Sequence, residues 1–186
     1  KIVCTTFPQY DWVMQVLGER KDVFDVTLLL DDGVDLHSYQ PTAEDMAKIV
    51  ACDCFIYVGG ESDEWVEDAL KEATNTNMQV INLLDALGER VKEEEIVEGM
   101  EHNHEHEHDE HENDEYEHNE HEHDEHENDE HVWLSLTNAQ ILCGGIADRF
   151  AIIDPENEEV YKANAAEYID ELAGLDTQYK EVVEKS

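Results

Sequence analysis

Basic residues are scarce. Across 186 residues there are 11 Lys and Arg against 49 Asp and Glu, a formal net charge of −38. Such a chain repels phosphate backbones and anionic lipid, which excludes nucleic acid as a partner and leaves cations as the natural small one. Cysteine is sparse as well, and no CxxC pair occurs. Cys52 and Cys54 are separated by one residue, too close for an unstrained bridge, and Cys4, Cys54 and Cys143 sit in apolar surroundings. Buried thiols are therefore expected. No apolar run reaches about 18 residues, so no membrane-spanning helix is expected. No signal peptide is visible, and Lys1 opens directly into a strand-like run, as a mature or trimmed chain would. No HExxH motif is present.

What the sequence has in abundance is one acidic, His-rich block. Residues 101–130 hold 16 acids, 9 His, 4 Asn and 1 Tyr, so nothing in the block can enter a core. It contains an internal repeat: EHEHDEHENDE occurs at 105–115 and again at 120–130. With no apolar periodicity and crowded like charge, it is expected to be disordered without metal. Its imidazoles (His102, His104, His106, His108, His111, His118, His121, His123 and His126) alternate with carboxylates. That pattern offers many weak, overlapping sites for a borderline metal such as Zn²⁺. Ordering a flexible segment costs entropy, so these auxiliary sites should hold metal loosely.

Outside the block, strand and helix patterns alternate. Ile2–Thr6, Val23–Leu30, Cys54–Val58 and Val80–Leu84 read as strands. Helical runs follow Pro8 to Leu17, Thr42 to Val50 behind a capping box ending at Asp45, and Asp63 to Ala73. After the block, helices run from Leu136 to Phe150 and onward from an Asp154-Pro155 cap and first-turn pair. The last pattern spans about 30 residues, far beyond the mean helix. The fold class is α/β: a parallel four-stranded sheet with flanking helices, then a long helix of the kind that bridges domains. Residues 1–150 form one lobe containing the block at 101–130, and residues 155–186 begin the connecting helix.

In a parallel sheet, ligands gather beyond the carboxyl ends of the strands. The loop after the second strand holds His37, and the chain re-enters the fold after the block at His131. Both therefore belong on one edge, although 94 positions separate them in sequence. Two converging imidazoles suit Zn²⁺, and a tetrahedral site needs two further donors. Tyr39 and Glu61 are cleft neighbours, Asp35 and Glu61 read as ordinary loop acids, and Trp133 reads as a core anchor.

Several stretches carry a family resemblance. They are Lys1-Ile-Val-Cys-Thr-Thr-Phe-Pro-Gln-Tyr-Asp-Trp12, the loop Gly33–Thr42, Tyr57-Val-Gly-Gly-Glu61, His131-Val-Trp-Leu-Ser135 and Asp154-Pro-Glu-Asn157. Together they resemble the zinc-binding solute-binding proteins of ATP-driven (ABC) importers, in the cluster that also holds manganese-binding relatives. The resemblance implies two α/β lobes joined by one long helix, with the metal between them. It makes His37 and His131 the first two ligands and assigns the remaining two to a second lobe, which is missing from this chain. It further implies an extracytoplasmic protein without enzymatic activity, in the periplasm or at the cell surface and often lipid-anchored. Such a protein is monomeric when full length and passes Zn²⁺ to a membrane permease. A manganese carrier, or a His-rich zinc buffer or chaperone, is the alternative.

Overall fold

In a computed structural model of the chain, residues 1–31, 33–92 and 128–185 are described. The strands β1 (Ile2–Cys4), β2 (Val26–Leu28), β3 (Cys54–Tyr57) and β4 (Gln79–Asn82) form one parallel sheet in the order β2-β1-β3-β4. Helix α1 (Phe7–Leu17) connects β1 to β2, and α2 (Ala43–Val50) connects β2 to β3. Helix α3 (Val66–Lys71) connects β3 to β4. The chain moves one way along the sheet through α1 and the other way through α2 and α3. Right-handed crossovers therefore put α1 on one face and α2 with α3 on the other. Helices α5 (Leu136–Ile153) and α6 (Glu158–Glu184) pack with α1, and the short α4 (Leu83–Leu87) packs on α5.

The two most buried strands, β1 throughout and β3 as far as Ile56, are continuous apolar runs, as a sheet covered on both faces demands. The core joins them to Trp12, Val13, Val16 and Leu17 of α1 and to Leu142, Ile146 and Phe150 of α5. All four cysteines are buried free thiols, as expected, and burial pushes the Cys54 and Cys143 thiols up to about 12.

The expected elements are present with shifted ends, each for a local reason. β4 stops at Asn82 because the Asn82 side chain accepts the Asp85 N–H at 3.2 Å and opens α4. The helix expected from Asp63 begins instead as a tight turn at Glu61–Asp63, with regular helix only from Val66. Asp63 is turned back: its carboxylate accepts the Val58 and Gly59 N–H groups at 2.8 and 3.0 Å. The capping box before α2 is formed as expected, with Asp45 N–H on Thr42 Oγ1 and Thr42 N–H on Asp45 Oδ2.

Asp154 takes the expected N-cap position with Pro155 in the first turn, but its side chain is used elsewhere. It makes no side-chain cap. Its Oδ2 instead accepts from Tyr161 OH at 2.6 Å and from Arg20 Nη2 at 3.0 Å, and Asn157 Nδ2 reaches both carboxylate oxygens at 3.0 Å. Arg20 Nε also donates to Tyr161 OH at 3.1 Å, so one knot ties the α5–α6 junction to the turn after α1. Tyr161 is fully buried against Phe150 and Phe24. Replacing Asp154 with Ala strips three donors of a charged acceptor. A loss of about 2 kcal/mol is expected, read as a melting temperature lower by about 4–8 °C. The Tyr161 and Asn157 hydrogen bonds, with Arg20 beside them, hold the Asp154 carboxyl below its usual range. Its contribution is thus present above about pH 4 and is lost as pH falls through the depressed folded value. Asp154→Asn should flatten that part of the acid limb in a pH series of melts.

The first half of α6 is the packed half, through Tyr161, Ala165 and Leu172. Beyond it, Leu175, Tyr179, Val182 and Val183 are exposed.

Candidate metal centre

The site stands at the carboxyl edge of the sheet, near the point between β1 and β3 where the strand order reverses. The loop after β2 supplies a tight turn at Leu36–Ser38, and the loop after β3 supplies the turn at Glu61–Asp63; the two turns touch. Leu36 is buried and anchors the first of them, which leaves His37 half exposed. On the far side of the acidic block, Val132 is buried and pins the turn Val132–Leu134, so His131 stands at its start. Trp133, expected as the core anchor, is only half buried and lies beside the His131 ring at a centroid distance of 5.4 Å. The anchor is Val132, because the turn points that residue inward.

His37 and His131 meet. Their ring centroids are 5.6 Å apart with planes at 53°. A tetrahedral zinc ion holding two imidazoles at about 2.0–2.1 Å sets their centroids roughly 5 Å apart, so little adjustment separates this pair from shared coordination. Both rings are tied back through Nδ1: His37 to Ser62 Oγ at 2.9 Å and His131 to Asp129 Oδ1 at 3.0 Å. Each ring is thus held at Nδ1, by a carboxylate at His131 and by a hydroxyl that can accept or donate at His37, which leaves Nε2 for a ligand.

The two loops share a local device. Asp35 Oδ1 accepts the His37 backbone N–H at 3.0 Å, and Asp129 Oδ1 accepts that of His131 at 2.8 Å. An Asp two residues ahead of each His closes a small turn that aims the ring. Asp35 is thus more than the ordinary loop acid expected. Of the expected cleft neighbours, Tyr39 packs edge-on against Trp65 at 5.9 Å, and Glu61 is exposed on the turn next to Ser62. The nine block histidines, His102 through His126, lie outside the described residues.

Beneath the imidazoles are two buried carboxylates. Glu130 Oε1 accepts the Ser62 N–H at 2.9 Å, while Oε2 has no hydrogen-bond partner and lies 3.7 Å from His37 Nδ1. Asp63 has one satisfied and one unsatisfied oxygen. Burial lifts its carboxyl to about 6 against the Gly59 and Val58 N–H groups, with the Glu130 charge adding to the rise. Gly60 makes the approach of Glu130 possible. Its φ is +80°, and a Cβ there would stand 2.3 Å from Glu130 Oε1.

Among the described residues, no group of three His, Cys, Asp or Glu side chains is placed to hold a metal ion. None of the described helices is long and apolar enough to cross a membrane. Residues 2–186 match the family ZnuA, zinc-uptake complex component A, periplasmic. The chain belongs to this family. The ZnuA-family chain is 33% identical to the high-affinity zinc uptake system protein ZnuA of Bacillus subtilis, over all of its own length and 52% of the relative's. It is 31% identical to the zinc-binding protein AdcA of Streptococcus pyogenes, over 96% of its own length and 33% of the relative's. Among solved structures, the metal-dependent lipoprotein YcdH of Bacillus subtilis superposes with a TM-score of 0.73 at 28% identity, covering all of this chain and 56% of that one. Zn(II)-bound AdcA of Streptococcus pneumoniae superposes with a TM-score of 0.70 at 28% identity, covering 97% and 32%. The chain thus spans about half the length of the Bacillus relative and a third of AdcA.

Proposed function

We propose that the chain is the N-terminal lobe, residues 1–150, and the start of the connecting helix, from residue 155, of an extracytoplasmic protein that captures Zn²⁺ and hands it to an ABC-type permease. His37 and His131 are its first two ligands. The observation that carries the reading is their pairing: two rings 5.6 Å apart, each braced at Nδ1. Two donors leave a tetrahedral ion half coordinated, and the remaining two come from a second lobe across the cleft. The printed names of the relatives, a zinc-binding protein and a zinc uptake system protein, support zinc as the cargo. So does the donor chemistry, since manganese prefers oxygen and these are imidazoles. Capture fits a site whose Ser62 and Asp129 brace the two imidazoles from behind. Periplasmic or cell-surface placement with a lipid anchor accords with the relatives, one of which is named a lipoprotein.

Within this reading the block histidines collect metal loosely and raise its local concentration near the cleft. Deleting residues 101–127, which spares the docked residues Asn128, Asp129 and Glu130, tests that division of labour. In a Zn²⁺ titration against a competing chelator, one tight site should survive within about threefold, while the weak sites disappear. Loss of all tight binding on deletion would make the block itself the receptor, and the chain a zinc buffer.

A further inference from the structure

We propose that Glu130 is a positioning residue for His37: its carboxylate braces the ring from behind and keeps the imidazole proton on Nδ1, so that Nε2 is the atom presented to the metal. The inference rests on the reading of His37 as a zinc ligand.

Glu130 is only 8% exposed, although it closes a segment made almost wholly of acids and polar residues. Burying a carboxylate costs several kcal/mol unless hydrogen bonds or opposite charge compensate. Here compensation is incomplete. The Ser62 N–H serves Oε1, and nothing serves Oε2. Asp63, 3% exposed and also with an unserved oxygen, adds a second negative charge nearby. The fold has therefore gathered two buried anions beneath a pair of imidazoles without supplying a cation of its own among the described residues. The group that fits is neutral His37 in its Nδ1–H form, whose N–H dipole is polarised further when Nε2 takes a divalent ion. Oε2 lies 3.7 Å from that nitrogen.

The two rings differ in the brace they receive. His131 has a carboxylate directly on Nδ1. His37 has the neutral hydroxyl of Ser62, a weaker acceptor, with the Glu130 charge just behind it. Glu130 gives His37 the anionic backing that Asp129 gives His131. It also places the last residue of the second EHEHDEHENDE copy inside the site.

Glu130→Gln in the full-length protein tests this. Glutamine keeps an oxygen for the Ser62 N–H and removes the charge. Zinc affinity, measured by chelator competition, should fall by about 10–100-fold. The melting temperature of the metal-free protein should hold or rise, because the repulsion with Asp63 is gone. Long-range ¹H–¹⁵N spectra of the metal-free ring should show His37 shifting from the Nδ1–H toward the Nε2–H tautomer. Unchanged affinity, or affinity and melting temperature falling together with the tautomer unmoved, overturns the assignment; the second result would make Glu130 a structural prop for the Ser62 turn. His37→Ala run in parallel separates the two levels. If tight binding survives His37→Ala, the cleft reading itself fails; if it is lost there but intact in Glu130→Gln, only the role of Glu130 fails.

Discussion

Replacing His37 or His131 with alanine is expected to weaken zinc binding by about 10²–10³-fold, one ligand's share of a four-donor site whose total free energy is of order 10–16 kcal/mol. Folding should barely register the change. Both side chains are about half exposed, 54% and 43%, and surface substitutions of this kind shift stability by about 0.5 kcal/mol or less. The prediction is therefore a separation: chelator-competition titrations collapse, while thermal melts of the metal-free variants overlay the parent. His131→Ala carries an extra signature. It leaves Asp129 without its Nδ1 partner but keeps the backbone N–H that closes the turn, so the turn should persist in the variant. A melting temperature that falls with the affinity would show that these rings hold the two loops together and would count against a site built on a preformed frame.

Gly60→Ala should be a severely damaging methyl near the site. At φ +80° and ψ −167° the residue occupies a region open to glycine alone, and forcing alanine there costs about 1–3 kcal/mol of backbone strain. The added Cβ also meets Glu130 Oε1 at 2.3 Å and its Cγ and Cδ at 2.8 Å, so the whole side chain must leave. Its departure strips the Ser62 N–H of its acceptor and withdraws the charge behind His37. The expected result is a melting temperature lower by about 5–10 °C together with at least a tenfold loss of zinc affinity. Gly33→Ala is the control: its φ is also +80°, but nothing lies within 4 Å of the added carbon, so strain acts there without displacement. If the two variants lose the same affinity, the collision with Glu130 is irrelevant to binding.

The sheet was legible because each strand is a short apolar run closed by turn residues, and strict alternation with helical runs admits few topologies. The convergence of His37 and His131 followed from that topology, since parallel strands send both loops to one edge. What stayed hidden was the bracing. Asp129 and Glu130 belong to an Asp-Glu-His tripeptide that also occurs at 109–111 and 124–126, so nothing local set this copy apart from the surrounding block. Only the burial of Val132 next to it, a tertiary fact, fixes this copy in the fold. Ser62 was likewise a plain loop serine until the Glu61–Asp63 turn swung it onto His37. One signal was present and unused: Asp-x-His precedes both ring sites, at 35–37 and 129–131. Asp154 misled because its sequence context fits a cap, while Tyr161 two turns along offered a stronger, more buried partner.

The long helix α6 is packed along its first half, where Asn164 and Tyr168 also bond to α1, and exposed beyond it, which makes the second half a lever. Its fulcrum is Leu172, the last buried residue, and the stretch from there to Glu184 gives an arm of roughly 18 Å. One degree of slack at the fulcrum sweeps the tip through roughly 0.3 Å. Metal–donor bonds tolerate errors of only about 0.2 Å. Whatever the arm carries can meet the histidine pair in register only if the packed half of α6 is stiff to within a fraction of a degree, so the alignment tolerance is set where the helix lies on α1 and α5 rather than at the metal.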